Sequence, residues 1–452
     1  MGKLFGTDGI RGVAGQWPLD ADMVYRVGFC LAQYLRSSVP SPCILIGRDT
    51  RASGPWLESL LRRAILDAGG SCESCGVIST PAISILTFRT GKHAGIVISA
   101  SHNPYQDNGI KVFSSSGMKF TDGVEAELER RIESASVAAP PELIPADSAG
   151  DQNLIQSISR CAEPYASFLR ECIPAEFRLD GMNLVVDCAH GALSALAPAF
   201  LHSLGAEVHS LHCEPNGRNI NLRAGALHIE RLQEEVRSRK ADLGIAFDGD
   251  ADRAVFVDSM GKRRDGDDVL FVFARYMDFQ DAPRIVVGTV MANLGLEIAL
   301  QEHGIQLVRS AVGDRYVLEE MLRRGAIFGG EQSGHVILSQ LARTGDGLLT
   351  ALKVLEIMRK QKMKLEELSA PVRRFPQVLL DVPVREKPAL SSIAGLTETE
   401  ASLKEKLGPR SRILLRYSGT EKLARIMVEG EDLALVHEAA ASLAALFDNL
   451  RP

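Results

Sequence analysis

One supersecondary unit occurs three times along this chain, and that repetition constrains the fold more than any other feature. In each copy a β-rich run opens, a helix follows, and a Gly-containing turn leads to a second β-rich run. A later β-rich run then ends in a polar, Gly-rich loop. The first copy opens with CILIGRD at Cys43, continues through the amphipathic WLESLLRRAILDAGG, and closes with GIVISASHNP, ending at Pro104. The second opens with LVVDCAH at Leu184, has FLHSLGAEVHSLH in the middle, and closes with LGIAFDGDADR at Arg253. The third opens with IVVGTVM at Ile285, continues through ALQEHGIQLVRSA, and closes with IFGGEQSGH at His335.

Short apolar runs alternating with helices predict βαβ units and mostly parallel sheets. Chemistry in such sheets collects at the carboxyl ends of strands, and all three polar loops fall there. Three similar domains can then aim three loops into one shared cleft. Linkers are expected near residues 138–144 and 261–268. Past a helical stretch ending near Met363, FPQVLLDVPV from Phe375 reads as a strand, and the tail reads as strand, helix, strand and helix. The expected fold class is α/β: three similar mixed/parallel-sheet α/β domains plus a smaller C-terminal α+β domain around a central cleft. The expected boundaries are 1–150, 151–258, 259–368 and 369–452. Length alone, at 452 residues, suggests about three domains; the repeat is the better guide.

Composition narrows the function. Lys+Arg number 51 against 57 Asp+Glu, a net charge of -6, which argues against a dominant nucleic-acid surface. Aromatic residues are only 6%, too few for extended stacking platforms. Eight cysteines lie between Cys30 and Cys213, sparse for a disulfide scaffold and suited to reduced thiols. Cys72 and Cys75 form one C-x-x-C, but no second pair completes a zinc site, so they read as two strand or loop thiols. The start MGKLFGTDGIRG has no apolar h-region, and no apolar run approaches the length of a membrane span. A cytoplasmic protein without membrane or nucleic-acid partners is expected.

The loop Asp248-Gly-Asp250-Ala-Asp252-Arg253 puts three carboxylates within reach of one hard cation. Mg²⁺ is the natural choice, since it tolerates few protein ligands beside a phosphate oxygen. An EF-hand is excluded, because Arg253 stands at the sixth position and no Glu closes the loop. A phosphatase with Asp248 as nucleophile and Asp250 as acid stays open. An acidic surface turn is the bland alternative, disfavoured because the charges repel. In Ser99-Ala-Ser101-His102-Asn103-Pro104 a serine can carry a phosphoryl group, or the segment can be a turn or helix cap. Lys111 can neutralise a phosphate, although an exposed strand lysine is the commoner case. Residues 329–335 offer Glu331, Gln332, Ser333 and His335 to a polyhydroxylated ligand; the His can equally be a surface turn residue. Arg416, Ser418, Gly419, Thr420 and Arg425 read as a phosphate cradle of small residues, hydroxyls and guanidiniums. No P-loop and no G-x-G-x-x-G is present.

In the order SASHNP, DGDADR, GGEQSGH and RYSGTE, these four loops resemble the α-D-phosphohexomutase superfamily along the whole chain. FGTDGIRG at residues 5–12, Ala100 and Gln332 resemble most its bacterial branch acting on glucosamine phosphate. Residues 313–317, with Asp314 and Arg315, fall where the sugar-selecting loop of that family would lie. Lys422 departs from the usual Pro, and the segment from Asn219 to His228 keeps Asn219, Asn221 and the His but loses a Cys-Gly-Ser-Thr run. The resemblance implies an isomerase with a phosphorylated Ser101. Asp248, Asp250 and Asp252, with Ser101, would hold Mg²⁺, and glucosamine 1,6-bisphosphate or glucose 1,6-bisphosphate would act as primer. Glu331 and Ser333 would grip sugar hydroxyls, with Asp314, Arg315 and His335 alongside as substrate-binding residues. Arg416, Ser418, Gly419, Thr420 and Arg425 would hold the non-reacting phosphate. Arg11, Lys111 and Arg253 would meet the reacting one, with His102 or Lys111 moving protons. A phosphosugar is the expected partner, and a homodimer stays open. Alternatives are action on mannose or glucose phosphates, the Asp-nucleophile phosphatase, and a non-catalytic phosphosugar binder.

Overall fold

The computed structural model describes residues 4–6, 8–143, 161–418 and 422–451. The described strands form four sheets. The first contains β1 (Ile10–Val13), β2 (Cys43–Arg48), β3 (Ser71–Val77), β4 (Ala94–Ile98) and β5 (Asp107–Ser114), in the order β1-β5-β4-β2-β3. β2 runs parallel to β3 and β4, whereas β5 is antiparallel to β4 and to β1. All five residues of β4 are buried, the near-continuous apolar pattern of a covered parallel strand. Helices α1 (Ala21–Arg36), α2 (Gly54–Asp67), α3 (Thr80–Arg89) and α4 (Asp122–Ser134) complete this domain. Asp20 starts α1 by accepting the Met23 N–H at 2.9 Å, satisfying a donor that a helix start would otherwise leave unpaired.

The second repeat builds the same way. It supplies α5 (Ala162–Glu171), β6 (Asn183–Asp187), α6 (Leu196–Ser203), β7 (Glu207–Leu211), α7 (Glu230–Arg239), β8 (Leu243–Phe247), β9 (Ala254–Asp258) and β10 (Arg263–Arg264). The sheet order is β10-β9-β8-β6-β7, with β8 parallel to β6 and antiparallel to β9. The third repeat follows α8 (Gly266–Tyr276) with β11 (Ile285–Thr289), α9 (Leu294–Gln301), β12 (Gln306–Ser310), α10 (Asp314–Arg324), β13 (Phe328–Gly330) and β14 (Val336–Leu338). Here β13 is parallel to β11 and antiparallel to β14. Helices α11 (Gly347–Gln361) and α12 (Leu365–Leu368) end it. In all three sheets the last parallel strand therefore turns back into an antiparallel partner. The turns are the serine loop between β4 and β5, the aspartate loop between β8 and β9, and the Glu331 loop between β13 and β14.

Packing divides the chain into two compact units, Met1–Val290 with Val308–Ser369, and Met291–Leu307 with Ala370–Pro452. The second unit contains β15 (Gln377–Pro383), α13 (Leu396–Leu407), β16 (Arg412–Tyr417), β17 (Leu423–Glu429) and α14 (Leu433–Ala445), its antiparallel sheet ordered β15-β17-β16. Val378, Ile426, Val428, Val436, Leu443 and Phe447 are part of its core. The expectation of one strand between its helices is corrected. Two strands pair there as a hairpin, and the polar SGTEK run separates them.

Two further expectations change, and a third is described only in part. Residues 261–268 are not a free linker: Asp265 and Asp268 form a capping box that starts α8. The linker near 138–144 is described as far as a 3₁₀ turn at Pro141–Leu143, and Ile144 lies outside the described residues. Cys72 and Cys75 do share a strand, but Cys75 is disulfide-bonded to Cys161, 86 residues away. That partner is brought close only by the tertiary fold, so local cysteine spacing could not reveal it. No helix among the described residues is long and apolar enough to cross a membrane.

Candidate active site

The serine loop is built around a buried guanidinium. Arg51 has no exposed surface, and its side chain donates to the carbonyls of Ser101, Asn103 and Asp107, each at 2.9 Å, and to that of Pro104. Asp49 balances the charge, accepting Arg51 Nε at 2.8 Å. The Ser99 hydroxyl donates to Asp49 at 2.6 Å and accepts the Ser101 N–H at 2.9 Å. Asn221, from the second domain, donates to the Ser101 carbonyl at 2.8 Å. Ser101 itself sits at φ 51°, a conformation that non-glycine residues adopt only when their surroundings impose it.

From this position Ser101 Oγ donates to Asp248 Oδ2 at 2.6 Å. Gly249 allows the approach, because a Cβ there would lie 2.7 Å from the Ser101 carbonyl oxygen. Oxygens of Asp248, Asp250 and Asp252 lie within 4.8 Å of one another, and all three residues are buried. One oxygen of each later aspartate is occupied from within the protein. Asp250 Oδ2 accepts from Thr80 Oγ1 at 2.6 Å and from Lys111 Nζ at 2.9 Å, while Asp252 Oδ2 faces His335 Nδ1 at 3.7 Å. The other oxygens, Asp250 Oδ1 and Asp252 Oδ1, are buried without a hydrogen-bond partner. Buried acceptors left in this state cost stability unless something binds them. A hard divalent ion with oxygen ligands fits that vacancy of donors.

Electrostatics agree with this. Burial, reinforced by the neighbouring Asp252 and Asp250 charges, pushes the Asp248 carboxyl well above the usual carboxylate range. Burial also opposes the charge on Asp252, but Lys111, His335 and Arg253 outweigh it and hold that carboxyl well below the usual range. Three carboxylates crowded this closely cannot all ionise cheaply without a cation. His102 Nδ1 lies 3.2 Å from Ser101 Oγ. Burial, then the Arg253 and Arg11 charges, lower its pKa to about 4, so it is neutral at pH 7.

Lys111 is not an exposed strand lysine. Its side chain is 2% exposed and ion-pairs with Asp250 at 2.9 Å, Asp8 at 3.1 Å and Asp252 at 3.6 Å. Arg11 pairs with Asp8. Arg253 donates its N–H to Asp248 Oδ1 at 3.3 Å. The third loop joins the acid loop through the Ala254 N–H, which donates to the Gly334 carbonyl at 3.1 Å. Glu331 accepts from the Gly313 N–H at 2.9 Å and from Ser333 Oγ at 3.2 Å. Asp314 is paired with Lys119 at 2.6 Å. The surface-turn alternative for His335 is excluded here. His335 is neither a surface residue nor open to solvent: it is 3% exposed, and its Nε2 accepts the Gly345 N–H at 3.0 Å. Arg315 turns onto Asp122, Glu125 and Glu319 at 2.5, 3.2 and 3.2 Å, because the acids of α4 offer it nearer partners.

In the second unit Arg416 and Arg425 stand directly opposite each other on β16 and β17. Burial and the Arg425 charge lower the Arg416 pKa. Like charges in register are unfavourable on their own, and Asp381, opposite Arg425 on β15 and 3.5 Å from its Nε, offsets part of the repulsion. Ser418 follows β16, its N–H donating to the Leu423 carbonyl at 2.9 Å. Gly419 and Thr420 lie outside the described residues. The sequence reading missed Arg51, Asp8 and Thr80. The only local signal for Arg51 is its place just past the carboxyl end of β2.

An α/β protein whose serine hydroxyl touches a buried trio of aspartates is equipped for phosphoryl transfer. The family comparisons define the class further. Models of the phosphoglucomutase/phosphomannomutase α/β/α domains I, II and III match residues 2–138, 163–261 and 265–375, and the model of the C-terminal domain matches 379–446. The chain belongs to the phosphoglucomutase/phosphomannomutase family, and its class is that of isomerases. It is 46% identical over 447 residues to a phosphoglucosamine mutase of Solibacter usitatus, covering 98% of this chain and 97% of that protein. It is 45% identical to a phosphoglucosamine mutase of Moorella thermoacetica, covering 98% of each. Among solved structures, a phosphoglucomutase/phosphomannomutase family protein from Burkholderia thailandensis superposes with a TM-score of 0.78 at 22% identity, covering 99% of this chain and 97% of that one. The Aspergillus fumigatus N-acetylphosphoglucosamine mutase, in complex with GlcNAc-6P and magnesium, gives a TM-score of 0.66 at 16% identity, covering 99% and 95%.

Proposed function

We propose that this chain is a phosphoglucosamine mutase, interconverting glucosamine 6-phosphate and glucosamine 1-phosphate. The observation that carries the reading is the 2.6 Å hydrogen bond from Ser101 Oγ to Asp248, at the edge of a buried carboxylate cluster in which two oxygens accept no hydrogen bond. The relatives named above, similar over the full chain, supply the amino-sugar assignment.

In this reading phospho-Ser101 gives its phosphoryl group to O1 of glucosamine 6-phosphate. The bond from phosphorus to Ser101 Oγ breaks as the bond to O1 forms, leaving a 1,6-bisphosphate. The bisphosphate turns over and returns its 6-phosphoryl group to Ser101, releasing glucosamine 1-phosphate. A glucosamine or glucose 1,6-bisphosphate primer charges the serine initially. Asp248, Asp250 and Asp252, with an oxygen of Ser101, would hold Mg²⁺, which supplies charge neutralisation to phosphoryl transfer. His102, neutral at pH 7 and 3.2 Å from Ser101 Oγ, takes the proton of the serine hydroxyl when Ser101 accepts a phosphoryl group. Against the pull of burial, Asp250, Asp8 and Asp252 raise the Lys111 pKa well above its ordinary value. Lys111 therefore stays charged and acts on the phosphoryl group as a fixed cation. Glu331 and Ser333 take the sugar hydroxyls, and Arg253 and Arg11 the reacting phosphate. Arg416, Ser418 and Arg425 offer a phosphate two guanidiniums and a hydroxyl.

The test is a comparison of kcat/KM on glucosamine, glucose and mannose phosphates with Mg²⁺ and a bisphosphate primer, alongside Ser101→Ala. Wild-type protein should prefer glucosamine 6-phosphate. The variant should lose the covalent phosphate seen by intact mass, and at least about 10³-fold of turnover. A Ser101→Ala protein with full turnover would overturn the mechanism. A preference for mannose or glucose phosphate would overturn the substrate assignment alone.

A further inference from the structure

Asp250 and Asp252 flank Ala251, whose φ of 59° is left-handed. Alanine stays there only when neighbouring bonds hold it. Its carbonyl accepts the N–H of Gly347 at 3.0 Å, and Gly347 is the first residue of α11. Asp346 caps that helix, accepting the Leu349 N–H at 2.9 Å. The two oxygens of Asp346 also lie 2.9 and 2.8 Å from the Tyr165 hydroxyl, which donates to them. Tyr165, on α5, is fully buried, and its ring stacks on Phe168 at 6.4 Å between centroids. Ser79 is a further polar neighbour of the same hydroxyl. The residue after it, Thr80, binds Asp250 twice, through its hydroxyl at 2.6 Å and its N–H at 2.9 Å. One phenol thus stands between the N-terminal ends of α3 and α11, and each of those ends is bonded to the aspartate loop.

We propose that Tyr165 and Asp346 are positioning residues for divalent-cation binding, fixing the Ala251 turn that sets the carboxylates of Asp250 and Asp252 within reach of one ion. Neither residue touches the reacting groups. They act through Gly347 and Ala251 at one end, and through the neighbourhood of Thr80 at the other. The inference rests on the reading of the three aspartates as cation ligands, and the experiment separates the two.

Binding of Mn²⁺ alone, without sugar phosphate, is measured by calorimetry and by the electron-spin signal of the free ion. The proteins are the full chain and its variants Tyr165→Phe, Asp346→Ala, Asp346→Asn and Tyr25→Phe, each with its melting temperature. Tyr25 is the control: its hydroxyl also bonds a carboxylate, Asp67 at 2.5 Å, but it lies in α1 and has no bond to the aspartate loop. Tyr165→Phe and Asp346→Ala should bind Mn²⁺ about 5- to 20-fold more weakly, less than the roughly 10- to 150-fold that one hydrogen bond to a charged group is worth, because both residues reach the aspartates only through neighbouring turns. Asp346→Asn keeps an oxygen acceptor and should stay within about threefold of wild type. Tyr25→Phe should not change affinity even where its melting temperature falls. Wild-type affinity in Tyr165→Phe overturns the inference, and so does an equal loss in Tyr25→Phe; if Asp346→Ala does not fold, Tyr165→Phe decides. Wild-type protein that binds no Mn²⁺ overturns the ligand reading, and this inference with it.

Discussion

Replacing Lys111 by Met removes the positive charge at the centre of the acid cluster while keeping most of the side-chain volume. The ammonium it removes is paired to Asp250, Asp8 and Asp252 at 2.9, 3.1 and 3.6 Å, with the side chain only 2% exposed. Breaking a buried ion pair by deleting one partner costs about 3–5 kcal/mol, because the surviving charge stays buried. Here the survivors keep other donors: Asp8 keeps Arg11 and Lys119, Asp250 keeps Thr80, and Asp252 keeps His335. The cost therefore belongs at the lower end, about 3 kcal/mol. At about 2 °C per kcal/mol for a large cooperative unit, melting in chelator at pH 8 should fall by about 6 °C. A divalent ion that the variant binds should restore part of this, since binding to the folded state alone raises stability. The Mg²⁺-induced rise in melting temperature should be larger in Lys111→Met than in wild type, although turnover is lost. Scanning calorimetry of both proteins, with chelator and with Mg²⁺, decides. If the variant melts within about 1 °C of wild type in chelator, or Mg²⁺ raises both equally, Lys111 is not the charge that balances this cluster.

Gly249→Ala places a Cβ 2.7 Å from the Ser101 carbonyl, 2.8 Å from Ile220 Cδ1 and 2.9 Å from Asn221 Nδ2. It should cost about 1–3 kcal/mol of stability and more than tenfold in turnover, and wild-type kinetics would refute the close approach. Asp346 has its pKa raised by burial to about 6, from 3.8, so between those values the folded chain holds a proton that the unfolded chain releases. Stability should accordingly fall as pH rises from 4 to 6. At 1.36 kcal/mol per pKa unit the change is about 3 kcal/mol, and Asp346→Asn should lack that slope in parallel urea titrations at stepped pH. With Cys75 bonded to Cys161 and six cysteines free, a thiol assay in denaturant without reductant should count six thiols per chain, rising to eight after reduction; eight at the outset would exclude the disulfide.

The repeat and the loops were legible because both are local. A strand such as LGIAF reads as buried from five consecutive residues, and its polar continuation must emerge at the strand's carboxyl end. The same reasoning could not find Arg51, whose role is to bind four carbonyls up to 56 residues away, nor Thr80, which meets Asp250 170 residues on. Lys111 shows why. Sequence identifies a lysine on a strand, and lysines on strands are usually exposed. Asp8 comes from its own domain, and only the closure of the second domain on the first adds Asp250 and Asp252 and converts a surface charge into a buried one. The His335 imidazole follows the same logic, enclosed between Asp252 and the Gly345 N–H.

This difference in legibility has a physical origin that bears on how the site works. Each motif loop supplies chemistry that is unfavourable in isolation: Ser101 and Ala251 in left-handed conformations, three mutually repelling carboxylates, and buried acceptors without donors. None of these is stable from local sequence preference, so each must be held by contacts that only the assembled domains provide. Arg51 and Asn221 hold the serine carbonyl from two domains, Thr80 and Lys111 hold Asp250 from the first, and Gly347 holds Ala251 from the third. The bonds that cross between domains do not meet the whole demand, because Asp250 Oδ1 and Asp252 Oδ1 accept no hydrogen bond, and Asp252 Oδ1 has only Arg253 Nε nearby, at 3.7 Å. A protein that spends so many long-range donors on one carboxylate cluster, yet leaves two of its buried oxygens without a hydrogen bond, is arranged for a cation to complete the balance, and a substitution that supplies that missing positive charge permanently should stabilise the fold while blocking the chemistry. Ser101→Lys is that substitution: lysine takes the left-handed conformation that Ser101 already has, as Lys240 and Lys362 do at φ 51° and 54°, and its ammonium would fall on the Asp248 side of the cluster. It should melt at or above wild type in chelator and show no response to Mg²⁺, and a variant that melts lower and still responds to Mg²⁺ would mean that the free oxygens are not where the charge deficit lies.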